Sequence, residues 1–335
     1  MYTDDSILAG PNETELDQIV DDMQKIGLKL SVDGDVSDFL GVKITHKSDG
    51  TIHLTQPQII DNVLHDLHLM SDNVKTRQTP AAVTTILRRH LDSEAFDEHF
   101  NYRSVIGKLN FLEKSTRPDI SYATHQCARF AANPKKEHGK AVEWLCRYLA
   151  ATRDKGIILK PAEQSFDVYV DADYVGNWDP ETAADDVDTA RSRTGYIVFY
   201  AGCPIVWKSK LQTQITLSTT EAEFMALSAA LRETIPLMEL VKELQLNGYN
   251  FTATRPTVHC RVFEDNSGAI ELARVPKMRS RTKFINVQYH HFRQYVDRKE
   301  ISILQIDTED QCADILTKSV SLAKLTKLRF KIMGW

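Results

Sequence analysis

A chain of 335 residues, 42% hydrophobic and 26% charged, has the make-up of an ordinary globular protein with material for two or three domains. A net charge of −5 argues against indiscriminate nucleic-acid binding, no apolar run reaches the length of a membrane span, and the acidic start does not suit a signal peptide. Five scattered cysteines without a C-x-x-C pair point to a reduced intracellular chain rather than a disulfide scaffold or zinc site.

The chain opens on Met1-Tyr2-Thr3-Asp4-Asp5, two adjacent carboxylates in a tight turn that suit either a metal-bearing hairpin or an exposed acidic turn. Apolar spacing predicts an amphipathic helix over Leu16–Leu28, with Leu16, Ile19, Val20, Met23 and Ile26 on one face. Asp49-Gly50 between Val42–His46 and Thr51–Leu54 predicts a hairpin. A helix follows over Ile59–Leu69, and Thr79-Pro80 marks a break before a polar linker to about Phe100. Two or three amphipathic helices come next, with Asn133-Pro134 as a turn.

Phe166 to Asp171 alternates as a strand. The loop acids after it (Asp179, Glu181, Asp185, Asp186, Asp188) lack fixed spacing and read as solvated. Thr194–Tyr200 and Pro204–Lys208 predict two strands turning at Ala201-Gly202. Leu217 to Leu227 opens a helix: Ser218, Thr219 and Thr220 are N-cap candidates, and both Ser218/Glu221 and Thr220/Glu223 have capping-box spacing. Phe224, Leu227, Leu231 and Ile235 form its core face, Glu223 is a cap or a site residue, and a break is expected near Pro236.

Strand Thr257–Phe263 delivers Asp265, with Asn266 and Ser267 able to start a helix. A helix over about Val287–Arg298, a strand over Ile301–Ile306 and a final helix bearing Asp314 complete the chain. Acids at strand ends, with one on a helix, can converge at the carboxyl edge of a sheet. Four of them could hold two Mg²⁺ ions for an in-line attack on phosphate; three turn aspartates and a cap are the bland alternative. Two basic runs, from Arg274 to Lys299 and from Lys324 to Lys331, read as phosphate-backbone contacts or as solvated faces. His290 and His291 are candidates for proton transfer or for surface packing.

Six blocks occur in order: Val170-Asp171-Ala172-Asp173, Arg193-Thr194-Gly195-Tyr196, Trp207-Lys208-Ser209-Lys210, Ser218-Thr219-Thr220-Glu221-Ala222-Glu223, Glu264-Asp265-Asn266-Ser267-Gly268-Ala269-Ile270 and Ala313-Asp314-Ile315-Leu316-Thr317-Lys318. Together they closely resemble the ribonuclease H domain of copia-type retrotransposon polyproteins. The resemblance implies that Asp171, Glu223, Asp265 and Asp314 are the catalytic, metal-binding acids. It favours Glu223 over Glu221 because the family's glutamate precedes the residue that opens Phe224-Met225-Ala226-Leu227. Tyr2-Thr3-Asp4-Asp5, Asp38 to Ile44 and Leu54-Thr55-Gln56 resemble the same family's reverse transcriptase, so Asp4 and Asp5 would bind polymerase metals. With no upstream aspartate or fingers ahead of Met1, that site is expected to be orphaned and the chain not to synthesise DNA alone. Gly107 to Leu112, Thr116-Arg117-Pro118-Asp119-Ile120 and Arg147 to Thr152 resemble the connecting region.

The expected layout is a partial palm/thumb over 1–78, a helical connection over 79–162 and an α/β ribonuclease H-like domain over 163–335, with a mixed five-stranded sheet and flanking helices. The resemblance implies cleavage of the RNA strand of RNA–DNA hybrids with two Mg²⁺ ions, Mn²⁺ being the alternative. Lys208, Lys210, Arg279, Arg281 and Lys283 are the expected nucleic-acid contacts, and other parts of the polyprotein the expected partners. The setting is intracellular, cytoplasmic (a virus-like particle for an active element) or nuclear, without a membrane. The family often has a His and an Asp where Lys283-Phe284-Ile285-Asn286 stands. That departure motivates the competing reading, an inactive remnant or a repurposed nucleic-acid-binding module. A transposase or integrase ranks last.

Overall fold

The computed structural model describes residues 6–10, 12–32, 36–71, 73–83, 86–89, 93–184, 186–249, 259–274 and 291–335. Helix α1 (Glu13–Lys25) starts three residues before the expected helix because the Asn12 side chain accepts from the Thr14 amide at 3.1 Å, capping the first turn. None of its residues is buried, so the face carrying Ile19, Met23 and Ile26 does not join a core.

Strands β1 (Asp38–Phe39), β2 (Val42–His46) and β3 (Ile52–Thr55) form an antiparallel meander, with Gly50 at φ +81° in the predicted turn. A fourth strand, β4 (Ile157–Leu159), reaches back to pair with β3. Gly156 permits that approach: a Cβ there would lie 1.9 Å from the Leu54 carbonyl oxygen. Helices α2 (Pro57–Asp66), α3 (Tyr102–Ser115), α4 (Ser121–Ala128) and α5 (Lys136–Ala151) share one apolar core that includes Val63, Leu109, Leu112, Leu145 and Leu149. Pro57 stands in the first turn of α2, where a missing amide hydrogen costs nothing.

The second sheet has the order β7-β6-β5-β8-β9. Strands β5 (Phe166–Asp173), β6 (Arg193–Tyr200) and β7 (Cys203–Leu211) are antiparallel neighbours, whereas β8 (Cys260–Glu264) and β9 (Ile301–Gln305) run parallel to β5. Helix α6 (Thr219–Leu246) covers one face, burying Phe224, Leu227 and Leu231 against Val168, Val170 and Val262. Helices α7 (Ser267–Arg274) and α8 (Arg293–Asp297) flank β8 and β9; the part of the expected Val287–Arg298 helix before residue 291 lies outside the described residues. The short α9 (Asp314–Thr317) and α10 (Leu322–Met333) cover the other face over Tyr169, Ile197 and Phe199. This mixed sheet with helices on both faces has the ribonuclease H-like strand order.

Two expectations need correction. Helix α6 runs through Pro236 without ending. The proline lies on the exposed face, so the carbonyl it leaves unbonded meets water while Ile235 and Met238 stay buried. The loop acids are not all solvated: buried Asp179 pairs with Arg88, and buried Asp186 lies 3.7 Å from Arg129, tying the loop to the helical region. Further ties are Trp207 Nε1 donating to the Glu113 carbonyl and Trp335 Nε1 to the Gly156 carbonyl, each at 2.6 Å. No helix of the described residues is long and apolar enough to cross a membrane.

Candidate metal centre

Strand β5 alternates, so Val168 and Val170 face α6 while Tyr169 and Asp171 face the layer of α9 and α10. Asp171 is only 3% exposed, and its Oδ2 accepts from the Thr317 hydroxyl and lies 3.7 Å from Lys318 Nζ. Glu223 comes from the first turns of α6, and the cap chemistry explains why it is free. Ser218 Oγ accepts from the Glu221 amide at 3.2 Å, and Glu221 Oε2 accepts from the Leu217 amide at 2.7 Å. Glu221 is therefore spent on the cap, and Glu223 Oε2 is buried with no hydrogen-bond partner.

Asp265 follows β8 directly and is half-buried, its Oδ2 accepting from the Thr308 hydroxyl at 2.8 Å. Asp171, Glu223 and Asp265 each bring one carboxylate oxygen within 4.8 Å of the others. Asp314 stands outside this group of three. It is fully buried at the start of α9, with Lys318 Nζ 2.7 Å and Lys324 Nζ 2.5 Å from its two oxygens.

Burial pushes the Asp171 carboxyl up to about 7, against the pull of Lys318. Burial, then the nearby Glu264, Asp171 and Asp265, hold Glu223 well above the carboxylate range. Burial opposes the charge on Lys318, but Asp171 and Asp314 outweigh it and raise the ammonium above the ordinary lysine value. Hard oxygen donors, a buried oxygen without a partner and an excess of negative charge suit a hard divalent cation such as Mg²⁺ or Mn²⁺.

Several participants were not assigned from sequence. Glu264 is fully buried at the end of β8, where alternation along Cys260-Arg261-Val262-Phe263-Glu264 could have placed it inward. Thr317 and Lys318 sit one turn beyond Asp314, whereas Lys324 comes from a separate helix that no local spacing links to the site. Of the expected nucleic-acid contacts, Lys208 and Lys210 are exposed on β7, Lys208 lying 3.4 Å from Glu233. Arg279, Arg281 and Lys283 lie outside the described residues, as do Asp4, Asp5, Phe284, Asn286 and His290. His291 packs edge-on against Phe292.

The side chains of the C-terminal basic run have partners within the chain. Lys324 holds Asp314, Lys327 pairs with Asp310 at 2.9 Å, Arg329 donates to the Tyr148 hydroxyl at 2.9 Å, and Lys331 lies over the Tyr169 ring.

The strand order, with acids gathered at the carboxyl end of β5 and β8, defines a ribonuclease H-like domain. No family model matches the chain. It is 32% identical over 326 residues to the retrovirus-related Pol polyprotein from transposon TNT 1-94 of Nicotiana tabacum, a match covering 96% of this chain and 23% of that protein. The corresponding polyprotein from transposon RE1 of Arabidopsis thaliana is 32% identical over 334 residues, covering 99% of this chain and 21% of the relative. Among solved structures, the N-terminal RNase H domain of a Mycobacterium tuberculosis protein aligns at a TM-score of 0.31 and 13% identity, over 50% of this chain and 96% of that one. Over 96–99% of its length the chain is homologous to a segment of copia-type retrotransposon Pol polyproteins, and it spans 21–23% of the length of the two relatives.

Proposed function

We propose that the ribonuclease H-like unit, from about residue 163 onward, cleaves the RNA strand of RNA–DNA hybrids with the help of divalent cations. The observation that carries this reading is the convergence of Asp171, Glu223 and Asp265 from three separate elements to within 4.8 Å. When bound at such a site, two Mg²⁺ ions, or Mn²⁺ in their place, supply an activated water and stabilise the departing 3′ oxygen.

The protein's own groups prepare that site. Thr317 orients Asp171, Thr308 orients Asp265, and the Ser218–Glu221 cap leaves Glu223 uncommitted. Lys318 stands between Asp171 and Asp314, 3.7 Å and 2.7 Å from their oxygens, and favours the ionised form of Asp171. Asp314 thereby completes the set of acids as a charge that positions Lys318. Lys208 and Lys210, with Arg279, Arg281 and Lys283, are assigned to the backbone of the hybrid.

Residues 1–78 are read as part of a polymerase palm and thumb, with Asp4 and Asp5 one portion of a polymerase metal site, and residues 79–162 as the connection to the nuclease. Other segments of the polyprotein are the partners this reading requires, inside the cell. The test is cleavage of a strand-labelled hybrid in Mg²⁺ or Mn²⁺, beside Asp265→Asn. The expected result is scission of RNA in the hybrid alone, reduced by at least about 100-fold in the variant. A folded chain that binds the hybrid without cutting it under either metal would instead support a nucleic-acid-binding module.

A further inference from the structure

The second sheet forks at the candidate metal centre. Strand β5 pairs with β8 from Phe166 and Cys260 as far as Tyr169 and Phe263, and no further. Beyond that point β5 stays with β6 up to Asp173 and Arg193, while β8 stays with β9 up to Glu264 and Gln305. Asp171 and Asp265 each lie two residues past the last shared pair, on opposite arms of the fork. Buried carbonyls where a ladder ends are costly unless another donor reaches them.

Gln311 supplies that donor. Its side chain is fully buried, and Nε2 donates to the Val170 carbonyl at 2.8 Å and to the Phe263 carbonyl at 3.3 Å, one on each arm. A primary amide has two N–H groups to offer two acceptors. Its Oε1 accepts the Ala313 amide at 3.3 Å, which ties the same group to the start of α9. Val170 directly precedes Asp171, so the reach of this one side chain bears on how far apart the two arms hold their acids.

The residues around Gln311 reach those acids themselves. Thr308, in the turn before it, donates to Asp265 at 2.8 Å, and Thr317, in α9 after it, donates to Asp171. A methionine in place of Gln311 would fill the space but leave both carbonyls without their donor. An asparagine would keep the amide one methylene too short to span the fork.

We infer, on the metal-dependent reading proposed above, that Gln311 is a positioning residue. It bridges the arms of β5 and β8 and sets the spacing at which Asp171 and Asp265 meet Glu223 within 4.8 Å. It acts through the carboxylates and touches no cation.

The test is Mn²⁺ binding by the full chain, with free Mn²⁺ counted by electron paramagnetic resonance, for the unsubstituted protein, Gln311→Met and Gln126→Met. Gln126 is the control: a buried glutamine with three hydrogen-bond partners of its own, Tyr122, Asn177 and Arg129, away from the fork. Both variants should lower the metal-free melting temperature, whereas Gln311→Met alone should lose Mn²⁺ affinity, by about tenfold or more. If Gln311→Met does not fold, Gln311→Asn is expected to show the same loss of affinity. Unchanged Mn²⁺ affinity in a folded Gln311 variant overturns the positioning role, as does an equal loss in Gln126→Met, which would trace the effect to general loosening. Absence of Mn²⁺ binding in the unsubstituted chain overturns the metal-dependent reading and this inference together.

Discussion

Arg117 and Asp119, in the turn between α3 and α4, are as deeply buried as Glu223 and Glu264 at the edge of the second sheet. The first pair is fully answered. Arg117 donates from Nε and Nη2 to the two Asp119 oxygens at 2.9 and 2.8 Å, and from Nη1 to the Thr152 carbonyl at 3.1 Å. Tyr148 donates to Asp119 at 2.6 Å and is itself met by Arg329 from the last helix. At the sheet edge, by contrast, carboxylates face one another and two of their oxygens lack any partner. A balanced buried pair braces one part of a molecule on another, whereas an unbalanced buried group requires something the chain does not itself supply. That difference separates brace from site more sharply than burial does.

The brace can be broken directly. Arg117→Met leaves Asp119 buried without its counter-charge and is expected to cost about 3–5 kcal/mol, measured by urea denaturation. A loss below about 1 kcal/mol would erase the distinction drawn between the two regions.

A smaller effect concerns pH. Burial raises Asp171 from an ordinary value of 3.8 to about 7, so the folded chain holds a proton there that the unfolded chain has released. Stability from this group is therefore fully present below about pH 4 and is lost as pH rises to about 7. Asp119 behaves oppositely: burial would raise it, but Arg117 outweighs burial and holds it low, so its contribution is lost only as pH falls through its depressed value. Melting curves from about pH 4 to 8 with a chelator should show the Asp171 decline, and Asp171→Asn or saturating Mg²⁺ should remove it. A decline that persists in both would place its origin elsewhere.

Local chemistry made much of this legible. Alternation placed Asp171 near the end of a strand, and the motif order pointed to Glu223 before the cap geometry showed why Glu221 was unavailable. What stayed hidden depends on distant packing. Pro236 reads as a helix break, yet the apolar face of α6 buries on both sides of it and the proline takes the wet side. Strand β4 is a three-residue apolar run whose partner lies far back in the chain. Lys324 reads as one member of a basic stripe, although its ammonium group belongs to Asp314. Glu264 was overshadowed by Asp265, because a single acidic pair does not reveal that one member points into the core.

The most direct test of the central claim is anomalous diffraction from crystals of the chain grown with Mn²⁺. The account predicts Mn²⁺ density among Asp171, Glu223 and Asp265, with Asp314 still held by Lys318 and Lys324. Well-ordered side chains at saturating Mn²⁺ with no anomalous peak among those acids would contradict it.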